Sequence, residues 1–172
     1  MLLMPFNTLF LDRDGVINKH LPGDYVKNWE EFEFLPDVLE AFALLAKSFR
    51  RIIIVTNQRG VGKGLMTEFD LHDIHQRMVS EIIHAGGRLD RIYCCTDTNN
   101  DSPNRKPNSG MALQAQKDFP EIIFKKSVMV GDSKSDMEFG VRLGMKTILL
   151  KPTVHPKSLL AFALSIFDET AY

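Results

Sequence analysis

The chain has 172 residues, 44% of them hydrophobic and 25% charged, with 21 basic and 22 acidic side chains leaving a net charge of -1. That length suits one globular domain with a full core, and the balanced charge gives no bulk attraction to nucleic acid or an anionic membrane. Cys94 and Cys95 are adjacent, with no second Cys or His cluster to complete a disulfide framework or metal site, so a reducing, cytoplasmic setting is expected.

The opening MLLMPFNTLFLD lacks a positively charged start, contains Pro5 and Asn7, and runs straight into Asp12, so it does not read as a signal segment. No apolar run approaches membrane-spanning length. Thr8 to Leu11 reads as a buried strand, and GDYVKNWEEFEF after it as a loop laying Tyr25, Trp29, Phe32 and Phe34 on the core. Apolar residues at helical spacing then run from Pro36 to Phe49. Arg51 to Thr56 (RIIIVT) is a second strand, and the glycine-rich RGVGKG, Arg59 to Gly64, reads as a flexible surface loop rather than a phosphate cradle. A helix is expected from Thr67 to Ala85, opened by the capping-box-like TEFD, with His72, His75 and His84 on a solvated face. There follow a strand at Arg91 to Cys95, a helix at Gly110 to Phe119, a strand at Ser127 to Val130, a helix at Ser133 to Leu143 opened by SKSD, and a strand at Lys146 to Leu150. Residues 155–172 form a short amphipathic helix expected to pack on the domain.

Strands that are apolar without alternation, separated by helices, imply an α/β fold: a doubly wound parallel sheet in a three-layer α/β/α, Rossmann-like arrangement over residues 1–172. Ligands of such sheets sit at the carboxyl ends of the strands. The residues there are Asp12 and Asp14, then Thr56, Asn57 and Gln58, then Asp132.

Four stretches stand in order at those ends: FLDRDGVIN, IIIVTNQRGVGKG, NRKPNSGM and VMVGDSKSDM. Together they resemble the four motifs of the haloacid dehalogenase-like (HAD) phosphatases. The closest likeness is to the branch containing D-glycero-D-manno-heptose 1,7-bisphosphate phosphatases and histidinol-phosphatase domains. The resemblance implies an Mg²⁺-dependent phosphohydrolase acting on a small phosphorylated metabolite, with the heptose bisphosphate (cleaved at the 7-phosphate) as first expectation and histidinol phosphate or another sugar phosphate second.

Phosphate monoesters need a nucleophile, a proton donor for the leaving oxygen and positive charge to meet the phosphoryl oxygens. Asp12 suits the nucleophile, through an aspartyl-phosphate, and Asp14 the acid and base. Lys106 and Thr56 would meet the phosphoryl oxygens, with Asn57 and Gln58 beside them. By the resemblance, the Asp12 carboxylate, the Asp14 carbonyl and Asp132 would hold Mg²⁺. Asp136 either supports that site or only caps its helix. Arg105 would contact the substrate beyond the reacting phosphate, and His20, Asp24 and Tyr25 would shape its pocket. Arg13 is expected to point elsewhere and to be structural.

The gaps between motifs leave no room for a separate cap domain, so recognition falls to the loops Gly15 to Glu33, Arg59 to Leu65 and Thr96 to Asn108. The heptose branch usually carries a Cys-x-His and Cys-x-Cys zinc loop before RKP. Here that segment reads YCCTDTNNDSPNRKP, so no structural zinc is expected, with Asx-turns and Pro103 shaping the loop instead. A monomer is expected. A receiver-type signalling module uses similar residues but places its phosphoacceptor after the third strand, whereas Asp12 follows the first.

Overall fold

A computed structural model describes residues 6–169. Residues 1–5, and the 170–172 end of the expected C-terminal segment, lie outside the described residues. Five strands, β1 (Thr8–Leu11), β2 (Arg51–Asn57), β3 (Arg91–Cys95), β4 (Ser127–Gly131) and β5 (Lys146–Leu149), form one parallel sheet in the order β3-β2-β1-β4-β5. The helices are α1 (Val38–Ser48), α2 (Arg59–Gly62), α3 (Glu68–His84), α4 (Gly110–Asp118), α5 (Lys134–Arg142) and α6 (Leu159–Glu169).

Strand side chains alternate between two apolar layers. Leu9 and Leu11 of β1, Ile52 and Ile54 of β2, and Val128 and Val130 of β4 meet α1, α3 and α6 on one face. Phe10, Ile53, Val55 and Met129 meet α4 and α5 on the other. Leu9, Phe10 and Leu11 are all 0% exposed. Since full burial of such a side chain contributes about 1.5–3 kcal/mol, β1 is clamped from both sides and its register is fixed. That register, Leu11 beside Ile54 of β2 and Val130 of β4, sets the position of the residue that comes next.

Both capping boxes form: Thr67 exchanges hydrogen bonds with Asp70 at the start of α3, and Ser133 with Asp136 at the start of α5. Three of the four loop aromatics pack on the core as expected, with Trp29 stacked on Phe32 at 4.9 Å and Phe34 edge-on to Phe32 at 5.0 Å, while Tyr25 stays outside that cluster. Among the described residues, only a short 3-10 turn and α1 lie between β1 and β2, so no cap domain arises there.

The Arg59 to Gly64 segment departs from the surface loop expected. It begins with α2, which packs on the 96–100 loop: a Cβ on Gly62 would lie 2.2 Å from the Thr96 carbonyl oxygen, so only glycine admits this approach. Arg59 Nη2 donates to the Thr98 carbonyl at 2.8 Å and also to Asn100 Oδ1. Gly60 and Gly62, which suggested flexibility, are there for close packing, whereas Gly64 has open space around it and turns the chain at a φ of +71°. No helix among the described residues is long and apolar enough to cross a membrane.

Candidate active site

β1 delivers Asp12 at the sheet's carboxyl edge, where its amide continues the ladder by donating to the Val130 carbonyl at 3.0 Å. Lys106, only 3% exposed, comes in from the loop after β3 and donates from Nζ to Asp12 Oδ1 at 2.8 Å and to Asp136 Oδ1 at 2.6 Å. Asn57 fixes this lysine's backbone from β2: its Oδ1 accepts the Lys106 amide at 3.0 Å and its Nδ2 donates to the Lys106 carbonyl at 3.2 Å. The Asn57 side chain therefore holds Lys106 in place.

Asp132 follows β4 and sits against Gly15, whose φ is +86° and where a Cβ would fall 1.9 Å from Asp132 Oδ2. The chain can turn away from Asp14 beside this carboxylate only with glycine. Ligand oxygens of Asp12, Asp132 and Asp136 lie within 4.8 Å of one another. Hard carboxylate oxygens at this spacing fit a small divalent cation such as Mg²⁺. Asp136, however, has both oxygens engaged: Oδ1 takes Lys106, and Oδ2 takes the Ser133 amide at 3.1 Å and hydroxyl at 2.7 Å. Asp12 Oδ2 and Asp132 therefore offer the most coordinating capacity, with one further position left on Asp136 Oδ1.

The proton affinities follow from this crowding. Burial, with Asp136 and Asp14 adding to it and Lys106 opposing it, pushes Asp12 up to about 7. Burial and Asp136 push Asp132 up as well. Burial disfavours the Lys106 ammonium, yet Asp12 and Asp136 outweigh it and hold the lysine above its ordinary value. A divalent cation among the acids would return Asp12 and Asp132 to their charged forms.

Asp14 behaves oppositely. Burial would raise it, but the Arg13 charge and hydrogen bonds from Arg13, Asn18 and Gln58 hold it below the usual carboxylate range. Its Oδ1 accepts Arg13 Nη2 and Asn18 Nδ2, both at 2.9 Å, and its Oδ2 accepts Gln58 Nε2 at 2.7 Å. Over these groups opens a cleft of about 360 Å³, on whose wall stand His20, Asp24, Tyr25, Asn57 and Gln58.

The sheet edge so built matches known proteins. The HAD-hydrolase-like family model fits residues 103–165. A D-glycero-α-D-manno-heptose-1,7-bisphosphate 7-phosphatase of Mycobacterium bovis is 40% identical over 76% of this chain and 69% of its own. The chain belongs to the HAD-like phosphatases. A D-glycero-D-manno-heptose-1,7-bisphosphate 7-phosphatase of Chlorobaculum tepidum is 35% identical over 94% of this chain and 86% of its own. A crystal structure of D,D-heptose 1,7-bisphosphate phosphatase from B. bronchiseptica, complexed with magnesium and phosphate, superposes with a TM-score of 0.85 at 27% identity, covering 95% of this chain and 99% of that one.

Within this HAD phosphatase the expected residues sort unevenly. Asp12, Asp14, Lys106, Asp132 and Asp136 converge on one cleft, joined by His20, Asp24, Tyr25, Asn57 and Gln58. Thr56 is buried, and its hydroxyl accepts Gln58 Nε2 at 2.9 Å. Arg105 stands outside the cleft lining, with its Nη1 buried and without a hydrogen-bond partner among the described residues.

Two expectations are corrected. Arg13 does not point away from the site: it is fully buried and bonds Asp14 directly. His75 is not on a solvated face, as His72 and His84 are, but is 8% exposed and reaches Arg13 Nη1 at 3.1 Å through Nε2. Burial and the Arg13 charge press its pKa down to about 3, so the ring is neutral. Asn18 went unnoticed in the sequence; an Asn four residues after an Asp in a turn is the one signal there.

Proposed function

We propose that this chain is an Mg²⁺-dependent heptose bisphosphate phosphatase that transfers a phosphoryl group to Asp12 and then to water. The observation that carries the reading is the Lys106 ammonium shared between Asp12 and Asp136 at the mouth of β1, beside Asp132. Asp12 presents a carboxylate for in-line attack, and Lys106 is placed to meet the charge on the transferring oxygens. Asp12, Asp132 and the Asp14 carbonyl would hold Mg²⁺, which would supply charge neutralisation between an anionic nucleophile and an anionic phosphate. Asp14 gives a proton to the leaving oxygen and takes one from the attacking water; an arriving phosphate dianion raises its proton affinity for the first of these tasks. Asn57 and Asp136 keep Lys106 in position.

Asn57 and Gln58 line the phosphate's approach, with Thr56 buried behind them and its hydroxyl holding the Gln58 amide. His20, Asp24 and Tyr25 face the remainder of the substrate, and Arg105, outside the cleft lining, would meet only a group that extends beyond it. The loop from Thr96 to Asn108 has turn hydrogen bonds of its own, which support a reading without zinc: Asn99 and Asp101 amides donate to Asp97 and Asn99 side chains in successive Asx-turns, at 2.9 and 3.0 Å. Cys94 and Cys95, being neighbours on β3, turn to opposite faces of the sheet, so one ion could not take both thiols.

The relatives' names support the heptose substrate, and kcat/KM tests it. With Mg²⁺, a panel of heptose 1,7-bisphosphate, hexose bisphosphates, sugar monophosphates and histidinol phosphate is expected to rank the heptose bisphosphate first by at least about tenfold. Histidinol phosphate in first place would overturn the substrate and keep the chemistry.

A further inference from the structure

We propose that His75, on α3, is a positioning residue for phosphoryl transfer: it fixes the Arg13 guanidinium, and Arg13 with Gln58 aims the Asp14 carboxyl into the cleft. This rests on the phosphatase reading above. A guanidinium carries only donors, so His75 Nε2, 3.1 Å from Arg13 Nη1, must be the acceptor of that bond. The imidazole proton then sits on Nδ1, which faces Cys94 Sγ at 3.9 Å. One tautomer is thereby selected, wedged between a cation and a thiol.

Packing does not call for a histidine at this place. Leu71, Ile74, Met78 and Ile82 on the same helix bury plain apolar side chains in the layer that α3 shares with β1 and β2. Nor does charge: Asp14 already neutralises Arg13 at 2.9 Å. What His75 adds is a second point of attachment. Arg13 Nε is buried with no partner among the described residues, so the guanidinium is held only at its two ends. Nη2 is shared between Asp14 Oδ1 at 2.9 Å and Gln58 Oε1 at 3.2 Å, and Nη1 goes to His75. Without the imidazole one end is loose, the fork can turn, and Asp14 turns with it.

The orientation matters because Asp14 has little freedom to spare. Three of its four acceptor positions are taken, two on Oδ1 and one on Oδ2, which leaves one Oδ2 lone pair for the cleft. As the Asp12 oxygen bonds to phosphorus and the ester P–O bond breaks, the leaving oxygen takes its proton from that Oδ2. The attacking water later returns a proton to the same atom as the aspartyl-phosphate is hydrolysed.

The test compares two phosphate monoesters by kcat/KM, which reports steps up to release of the leaving group. An alkyl ester such as glycerol 2-phosphate needs protonation to leave; 2,4-dinitrophenyl phosphate does not. His75→Leu is expected to lose about 10- to 100-fold on the alkyl ester and less than about threefold on the dinitrophenyl ester, since a displaced acid harms only the leaving group that depends on it. His75→Gln, whose amide oxygen can accept from Arg13, is expected to recover most of the loss. If His75→Leu does not fold, His75→Asn, too short to reach Arg13, is read by the same ratio. Equal losses on both esters, no loss on either, or a Gln variant as poor as Leu would overturn the positioning role. Wild-type protein that cleaves neither these esters nor heptose 1,7-bisphosphate would overturn the phosphatase reading, and this inference with it.

Discussion

Asp12 and Asp14 stand two residues apart at the end of one strand, both in buried surroundings, and yet their proton affinities are driven in opposite directions. On the β4 side, Asp12 shares a crowded corner with Asp132 and Asp136 and only one lysine, and it is pushed up to about 7. On the β2 side, Asp14 is surrounded by donors from Arg13, Asn18 and Gln58 and is held below its usual range. Burial raises both. Neighbours decide the outcome, one corner being short of positive charge and the other fully supplied. The first corner is built to receive a cation, the second to hold a carboxylate still.

The largest effect should come from emptying the charge-poor corner. Asp12→Asn removes the nucleophile and one anionic oxygen, and kcat is expected to fall about a thousandfold or more while thermal melting shows a folded protein. Undiminished turnover of p-nitrophenyl phosphate with Mg²⁺ would remove Asp12 from the chemistry. Lys106→Met takes away the ammonium that bridges Asp12 and Asp136 and should cost about 100- to 1,000-fold in kcat/KM, in line with loss of one electrostatic stabiliser. A drop confined to KM would assign Lys106 to ground-state binding instead.

The third expectation concerns metal and pH. Asp12 has a folded-state pKa of about 7 against 3.8 in the unfolded chain, so the metal-free fold binds its proton more tightly than the unfolded chain does. Stability from this group is greatest below about pH 4 and is lost as pH rises towards 7. Asp132, raised too, adds in the same sense. Mg²⁺ needs the ionised acids, so its stabilisation should grow across the same window, reaching about 2.7 kcal/mol at a hundredfold excess over Kd. Melting curves with and without Mg²⁺ at pH 5 and pH 8 measure this, and a Tm increment larger at pH 5 would contradict the charge-poor corner.

Much of this layout was legible in the sequence. RIIIVT and SVMV suit strands buried on two faces, and the first polar residues after them fall at the edge where ligands bind. The inward turn of Arg13 was not legible, because strand alternation ends at Leu11 and a bend follows. His75 left a faint trace: it lies four residues after Leu71 and three before Met78, on the buried stripe of α3. A polar residue on an apolar stripe was the sign that it had a partner inside. Asp136 was ambiguous for a physical reason, since one carboxylate caps α5 with Oδ2 and holds Lys106 with Oδ1. Arg59 to Gly64 misled because glycine serves flexibility and close packing alike.

The strand order has one further consequence. β1, which carries Asp12, lies in mid-sheet, flanked by β2 from the first half of the chain and β4 from the second. Asp12 therefore meets Asp132 and Asp136 only when the β1–β4 pairing is complete, and a chain still emerging from a ribosome would hold the nucleophile without its metal partner. Catalytic competence arrives late and all at once, so a partly made chain carries no half-working phosphatase, and turnover reports a finished sheet.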